Sequence, residues 1–489
     1  MVFNFPVQLP GGAISTRWEC QTGIAGKVDR AKAAGALQTK TAAISYMKTA
    51  LVTPFLGQLP LYPSSYLGYG AALLKNRVEL DIMDLNAEIC LRNIDILKKV
   101  VADFDNSQVI LDSYHLYPVN PEMLDEVERE YERISWNKYE SVFITMPSWF
   151  VNIPTENVLK LSDLISKASP ESKIFFFGNS LGSWTCENEL KDFGIGIRHL
   201  NHLFEANPAG RPVHYDSLPT PIYEQRQKYI FDILPFRLKH GCTWGQCRFC
   251  SLAKGWNAGY KERSAAKVIQ EIEKLEAKYS PTMFACNDNS INGDNLIEFC
   301  SYFEQFKKPW AAMARADLSE QAIAALQRAG CKLIYFGLES GSDRILNEIN
   351  KGISSNQMSN FVRKLDDHNI MPAPSLIVGT PGETEDDFNN TVRFVKDHKD
   401  FLKILNVYPF MASPVSDYSL LNEQADDHVL LRLRELFKVC LDSGIKVCVG
   451  EQSAEYVLYN EVYPDQVRYW TDPPDQKNTA RLTSEIPSH

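Results

Sequence analysis

Residues 239–250 read Lys239-His240-Gly241-Cys242-Thr243-Trp244-Gly245-Gln246-Cys247-Arg248-Phe249-Cys250 and put three cysteines on one short loop, spaced C-x4-C-x2-C. Thiolates are soft ligands of the kind that hold iron–sulfur clusters. A [4Fe-4S] cluster takes one ligand per iron, so three local cysteines leave one iron open. The amino and carboxylate groups of S-adenosylmethionine (SAM) are a chelate suited to that position. A structural zinc site is the competing reading, and it calls for four ligands, usually as two close pairs. The next cysteine, Cys286, stands alone far downstream. A chance grouping is the third reading.

The chain around this loop is 489 residues long, which is too much for one ordinary core and predicts two to three domains. Hydrophobic residues make up 44% and charged residues 23%, the balance of a globular protein. A net charge of −10, with a pI near 5.5, argues against a general phosphate-backbone surface. The expected substrate is therefore a small molecule or a peptide rather than nucleic acid. No run reaches membrane-spanning length without charges, and the first residues lack a basic, apolar leader pattern. Eleven irregularly spaced cysteines fit a reducing cytoplasm.

Outward from the loop, strand-like and helix-like patterns alternate in both directions. Downstream and immediately upstream, six strand-like runs stand at 236–239, 283–287, 310–315, 333–339, 375–379 and 404–410. Helical patterns lie between them, long enough to cross back over a parallel sheet. Six units make a partial (β/α)6 barrel, with the cysteine loop following its first strand, at the carboxyl end where barrel chemistry sits. Upstream, strands at 49–54, 78–84, 141–146, 173–178 and 195–200 alternate with helices at 65–77, 120–134 and 155–168. This predicts a doubly wound, Rossmann-like α/β domain that binds ligand beyond the carboxyl ends of its strands. The expected division is a leader at 1–43, the Rossmann-like domain at 44–206, a proline-rich linker at 207–235, the barrel at 236–412 and a C-terminal extension at 413–489.

The blocks after the loop carry a resemblance. They are Arg315-Ala316-Asp317, Phe336-Gly337-Leu338-Glu339-Ser340-Gly341-Ser342, Asn350-Lys351-Gly352 and Leu376-Ile377-Val378-Gly379-Thr380-Pro381-Gly382-Glu383-Thr384. In this order the chain resembles the radical SAM superfamily, and more closely the branch that joins an N-terminal cobalamin (B12)-binding domain to a radical SAM barrel. The loop departs from the usual C-x3-C-x2-C of that superfamily by one residue, which Gly241 and Gly245 can absorb. The D-x-H-x-x-G signature of histidine-ligated cobalt is absent, because Asp112 and His115 are one residue too far apart. The resemblance thus implies cobalamin without a protein histidine as lower ligand.

It also implies residue roles. Cys242, Cys247 and Cys250 hold the cluster. Phe249 lies near the SAM adenine or packs the loop. Glu339 and Ser340 serve the SAM ribose or methionine, since a carboxylate accepts two hydrogen bonds, or else partner the following turn. Arg315 pairs with the SAM carboxylate or with Asp317 or Glu339. Gly379 and Gly382 let backbone approach the adenine. Asp288 reaches SAM or substrate, or caps the next helix. Pro54, Ser148, Trp149, Gly178 and Asn179, at strand ends of the first domain, are the cobalamin candidates. The implied activity is cobalamin-dependent radical SAM methyl transfer to an unactivated carbon. In it, one SAM is cleaved to a 5′-deoxyadenosyl radical that abstracts hydrogen, and methylcobalamin supplies the methyl group. The electron comes from a donor such as flavodoxin or ferredoxin. An oxidative cyclase or rearrangement enzyme on the same scaffold is the alternative, and a non-catalytic iron–sulfur scaffold or redox sensor is the alternative of another class.

Overall fold

The computed structural model describes residues 48–56, 60–75, 77–93, 109–111, 121–145, 152–177, 215–250, 260–412, 416–418, 427–449, 457–459 and 461–463. Outside these lie the expected leader, the strand at 195–200, and Asp112 and His115. Ser148, Trp149, Gly178 and Asn179 also lie outside the described residues.

The first half builds a parallel sheet from β1 (Lys48–Thr53), β2 (Glu79–Asp84), β4 (Ser141–Thr145) and β5 (Lys173–Phe177), in the order β2-β1-β4-β5. Apolar residues buried on both faces, such as Ala50, Leu51, Val52, Val142 and Ile144, make these strands central. Helices cross between them. Ser64 caps the helix Ser65–Leu74 by accepting from the Tyr66 amide, and Asp84 caps Leu85–Arg92 by accepting from Ala87 N at 2.9 Å.

The second half builds the larger sheet. β6 (Ile233–Phe236), β9 (Met283–Cys286), β10 (Trp310–Met313), β11 (Cys331–Glu339), β12 (Met371–Val378) and β13 (Ile404–Pro409) stand for the six expected strands; β6 lies three residues ahead of the expected run, mostly inside the expected linker, and the other five differ by a few residues at their ends. Two further strands extend the sheet: β14 (Lys446–Val449) pairs in parallel with β13, and β3 (Val109–Leu111) pairs with β14. The order is β3-β14-β13-β12-β11-β10-β9-β6. Both additions come from outside 236–412, and each is too short to show a period of its own.

Side-chain alternation divides this sheet into two faces. Leu234, Phe284, Trp310, Ile334, Leu376 and Leu405 pack against the outer helices, among them Ala265–Tyr279, Leu296–Phe303 and Ser355–Asp367. Ile233, Met283, Ala311, Leu333, Met371 and Ile404 face the other way, into the barrel, near the amino ends of their strands. That inner core is continuous with Phe55, Leu61 and Tyr62, which follow β1 at its carboxyl end. Backbone bonds reinforce the junction: Ile230 and Phe231, just ahead of β6, donate to the carbonyls of Pro60 and Leu61 at 3.0 and 2.8 Å. Tyr229 donates to Asp84 Oδ2 at 2.5 Å. The carboxyl edge of the smaller sheet thus lies against the amino end of the barrel.

A buried polar network adds a second tie. The Tyr69 hydroxyl, on helix Ser65–Leu74, donates to Glu271 and accepts from Arg263 Nη1 and Arg237 N, each at 3.2 Å. Arg263 closes the network on Glu271 Oε2 at 2.8 Å.

Candidate active site

The cysteine loop starts and ends on a pair of short antiparallel strands, β7 (Lys239–His240) and β8 (Lys261–Glu262). The buried Lys239 ammonium bridges Glu262 and Asn295 and pins that base. Gly241 and Gly245 have φ of 78° and 56°, left-handed values that a glycine adopts at little cost. The extra residue between Cys242 and Cys247 is accommodated in this turn.

One segment, residues 349–352, clamps the loop. Trp244 Nε1 donates to Asn350 O at 2.9 Å, Asn350 Nδ2 donates to Gln246 O at 2.9 Å, and Arg248 N donates to Ile349 O at 2.9 Å. The Arg248 side chain pairs with Glu348 at 2.5 Å. Phe249 packs on Ile345, Leu346 and Ile349, which is the loop-packing role. Cys247 is buried, Cys242 and Cys250 are partly exposed, and Cys250 N donates to Cys247 O at 3.2 Å. Among the described residues no set of three His, Cys, Asp or Glu side chains is closed to cation-binding geometry, the three thiols included.

The buried Cys247 thiol sits among charges. Burial pushes it up first; Lys351 and Arg315 pull it down, while Glu339 and Cys242 push it up further. Lys351 donates to Glu339 Oε1 at 2.7 Å, with both side chains buried. Burial acts to lower the Lys351 ammonium, but attraction to Glu339 and Cys247 outweighs it and holds the group above the usual lysine range. Glu339 has φ 62°, and Ser340 N donates to Leu338 O at 2.8 Å across it. A non-glycine residue at the centre of such a three-residue turn is strained, and strain of this kind concentrates at functional sites. Arg315 donates through Nε to Asp317 Oδ2 at 3.0 Å and through Nη2 to Lys351 O at 3.1 Å, with its guanidinium 5.2 Å from the Trp244 ring centroid.

The fold therefore gathers Cys247, Arg315 and Glu339, together with Trp244 and Lys351, to which sequence reasoning gave no role. The other candidates stand apart. Ser340 turns its hydroxyl to Thr391 Oγ1 at 3.2 Å and to the Ser342 amide at 3.1 Å. Asp288 accepts from the Leu238 and Lys239 amides at 2.8 and 2.6 Å and lies 3.5 Å from Arg237, so it fastens the end of β9 to the root of the loop. Gly379 and Gly382 form the turn after β12 at φ 84° and 78°; the Gly379 amide donates to Glu383 Oε2 at 2.9 Å. Pro54 is buried behind β1 on the smaller sheet. Near it, the buried Thr53 and Thr145 hydroxyls bond at 2.9 Å at the carboxyl ends of β1 and β4.

The comparisons bear on this arrangement. The family profile described as the radical SAM superfamily matches residues 237–395. An uncharacterized methyltransferase of Pyrococcus horikoshii is 24% identical over 74% of this chain and 79% of its own length. A cytidylyl-2-hydroxyethylphosphonate methyltransferase of Streptomyces wedmorensis is 25% identical over 42% of this chain and 40% of its own. Among solved structures, the radical SAM methyltransferase TsrM of Kitasatospora setae, with cobalamin and a [4Fe-4S] cluster bound, aligns over 76% of this chain and 74% of its own. Its TM-score is 0.54 at 14% identity, a likeness of fold. The cobalamin-dependent radical SAM enzyme OxsB aligns over 86% of this chain and 62% of its own, with TM-score 0.53 at 13% identity. Among the described residues no helix is long and apolar enough to cross a membrane. With its cysteine loop at the carboxyl end of a partial barrel, residues 237–395 carry the radical SAM match, and the chain is an enzyme whose fold is similar to that of the cobalamin-dependent radical SAM enzymes TsrM and OxsB.

Proposed function

We propose that this enzyme is a cobalamin-dependent radical SAM methyltransferase acting on an unactivated carbon of a small molecule or peptide. The observation that supports the reading is where the cysteine loop and the smaller sheet sit on the barrel. The cysteine loop is at the carboxyl end of the barrel strands, and the carboxyl edge of the smaller sheet meets their amino ends through Phe55, Leu61 and Tyr62.

The donor chemistry fits the cluster. Cys242, Cys247 and Cys250 would hold the cluster, leaving an iron for SAM. Arg315, Glu339 and the Gly379–Gly382 turn would hold SAM, and the edge around Thr53, Pro54 and Thr145 would meet cobalamin. When bound, the cluster supplies the electron that splits SAM and cobalamin supplies the methyl carrier. The protein's share is positioning and exclusion of water. The Glu339–Lys351 pair fixes charge beside the loop, the Trp244 clamp fixes the loop itself, and the packed apolar inner layer keeps water from the amino end of the barrel. The electron is drawn from a donor such as flavodoxin or ferredoxin.

The test is anaerobic reconstitution with hydroxocobalamin followed by gel filtration. A corrin absorption band co-eluting at about one per chain supports the reading. Elution without corrin, from protein that still cleaves SAM, removes the methyl-transfer mechanism.

A further inference from the structure

The inner wall of the barrel carries a polar row that none of the roles above uses. On β13, Ile404 joins the inner core, whereas Leu405 and Val407 pack against the outer helices, so Asn406 faces the lumen. In the sheet register Gly337, Ser375 and Asn406 stand side by side on β11, β12 and β13. The Glu339–Lys351 pair folds over the first of them: a Cβ on Gly337 would lie 2.0 Å from Glu339 Oε1 and 2.6 Å from Lys351 Nζ. The row therefore runs from that ion pair, past the Ser375 hydroxyl, to the Asn406 amide, a span of two strand spacings, about 10 Å.

Asn406 is wholly buried, and neither its Nδ2 nor its Oδ1 has a hydrogen-bond partner among the described residues. Buried amides are nearly always bonded, so one with both ends open inside a lumen points to a ligand. Tyr335, one layer toward the amino end, and Tyr408, one layer toward the carboxyl end, meet through their hydroxyls at 3.5 Å across this level.

We infer that Asn406 is the specificity-determining residue of the lumen and that the substrate presents to it a carboxamide or peptide-amide edge. An asparagine offers one donor and one acceptor in a plane, and its complement offers the same pair reversed. A carboxylate, with acceptors alone, would set an anion against Oδ1; a ketone would leave Oδ1 unmet. A site built to bond both atoms rejects such analogues by leaving its own groups unpaired. This inference rests on the reading above, with the barrel lumen taken as the substrate chamber.

The experiment uses the anaerobically reconstituted full chain and three probes of one shape: benzamide, benzoate and acetophenone. Dissociation constants are measured by saturation-transfer NMR, with iron content and 5′-deoxyadenosine release from SAM recorded on the same samples. Benzamide should bind at least about tenfold more tightly than either analogue, and Asn406→Leu, close in shape, should erase the difference. Should the leucine variant not fold, Asn406→Val makes the same prediction. Equal binding of the three probes to the wild type, or an amide preference that survives loss of Asn406, overturns the inference. Intact SAM cleavage without an amide preference sinks this inference alone, whereas an amide preference without SAM cleavage sinks only the catalytic reading.

Discussion

Two glycines with the same backbone conformation and different surroundings isolate the clamp on the cysteine loop. Gly352 has φ 70° and Gly444 has φ 73°. Alanine at either pays the left-handed penalty of an L-residue, about 1–2 kcal/mol. At Gly444 a new Cβ meets nothing within 4 Å, so that penalty is the whole cost. At Gly352 it would lie 2.4 Å from Trp244 Cζ2 and 2.7 Å from Cη2, closer than real contacts allow. The indole has little freedom to yield, because Nε1 is bonded to Asn350 O and its face carries Arg315. Overpacking of this kind adds about 1–3 kcal/mol. Gly352→Ala should therefore cost about 2–5 kcal/mol in total. Part of that cost should appear as displacement of the loop. Denaturant unfolding of the reconstituted proteins measures the first effect, and iron bound per chain measures the second. Gly444→Ala should keep its iron, and Gly352→Ala should lose much of it. If the two variants unfold at the same denaturant concentration and hold equal iron, the clamp is not what positions the loop.

Three further perturbations address other parts of the structure. Glu339→Gln leaves the buried Lys351 without its anion and should cost about 3–5 kcal/mol, while the apolar pair Glu339→Leu with Lys351→Met should recover most of the stability and none of the SAM cleavage, read by unfolding and by 5′-deoxyadenosine release. Asp387 completes the capping box of the helix Glu385–Asp397, whose cap is Thr384, and bonds Arg344, Ser342 and Thr384; burial opposes its charge, but these partners outweigh burial and hold the carboxyl well below the usual range. A folded pKa below the unfolded one contributes stability above the unfolded value, near 3.9, that is lost as pH falls toward the folded value; the loss in Tm between about pH 5 and pH 3 should shrink in Asp387→Asn. Tyr69→Phe takes one hydroxyl from the buried Glu271–Arg263 network and should cost about 1–3 kcal/mol by denaturant titration, with no loss of bound iron.

The legible parts of the sequence were those where one physical signal dominates. The six barrel strands showed because each is buried on both sides and bounded by helical stretches, and the cysteine loop showed because ligand spacing is local. Lys446–Val449 and Val109–Leu111 did not show, because four and three residues set no period and their place depends on an edge left open by β13. The helix Leu85–Arg92 was hidden behind β2, whose last residue, Asp84, serves as its cap. In the site, Arg315 and Glu339 were legible as charged residues at strand ends. Trp244 was not, since its contact with Asn350 spans about a hundred residues of chain, and Lys351 was not, since its role comes from a turn that folds it back onto Glu339 and from the approach of Cys247. Asn406 had no signal at all, because an asparagine inside an apolar strand gains meaning only once the strand's faces are assigned.

Whether Cys242, Cys247 and Cys250 hold a SAM-cleaving cluster is decided by anaerobic reconstitution with iron and sulfide, followed by reduction in the presence of SAM. About four irons and four sulfides per chain, with 5′-deoxyadenosine released by the wild type and abolished in Cys247→Ala, is the predicted result. Stoichiometric zinc in place of iron, or undiminished 5′-deoxyadenosine release from Cys247→Ala, would contradict it.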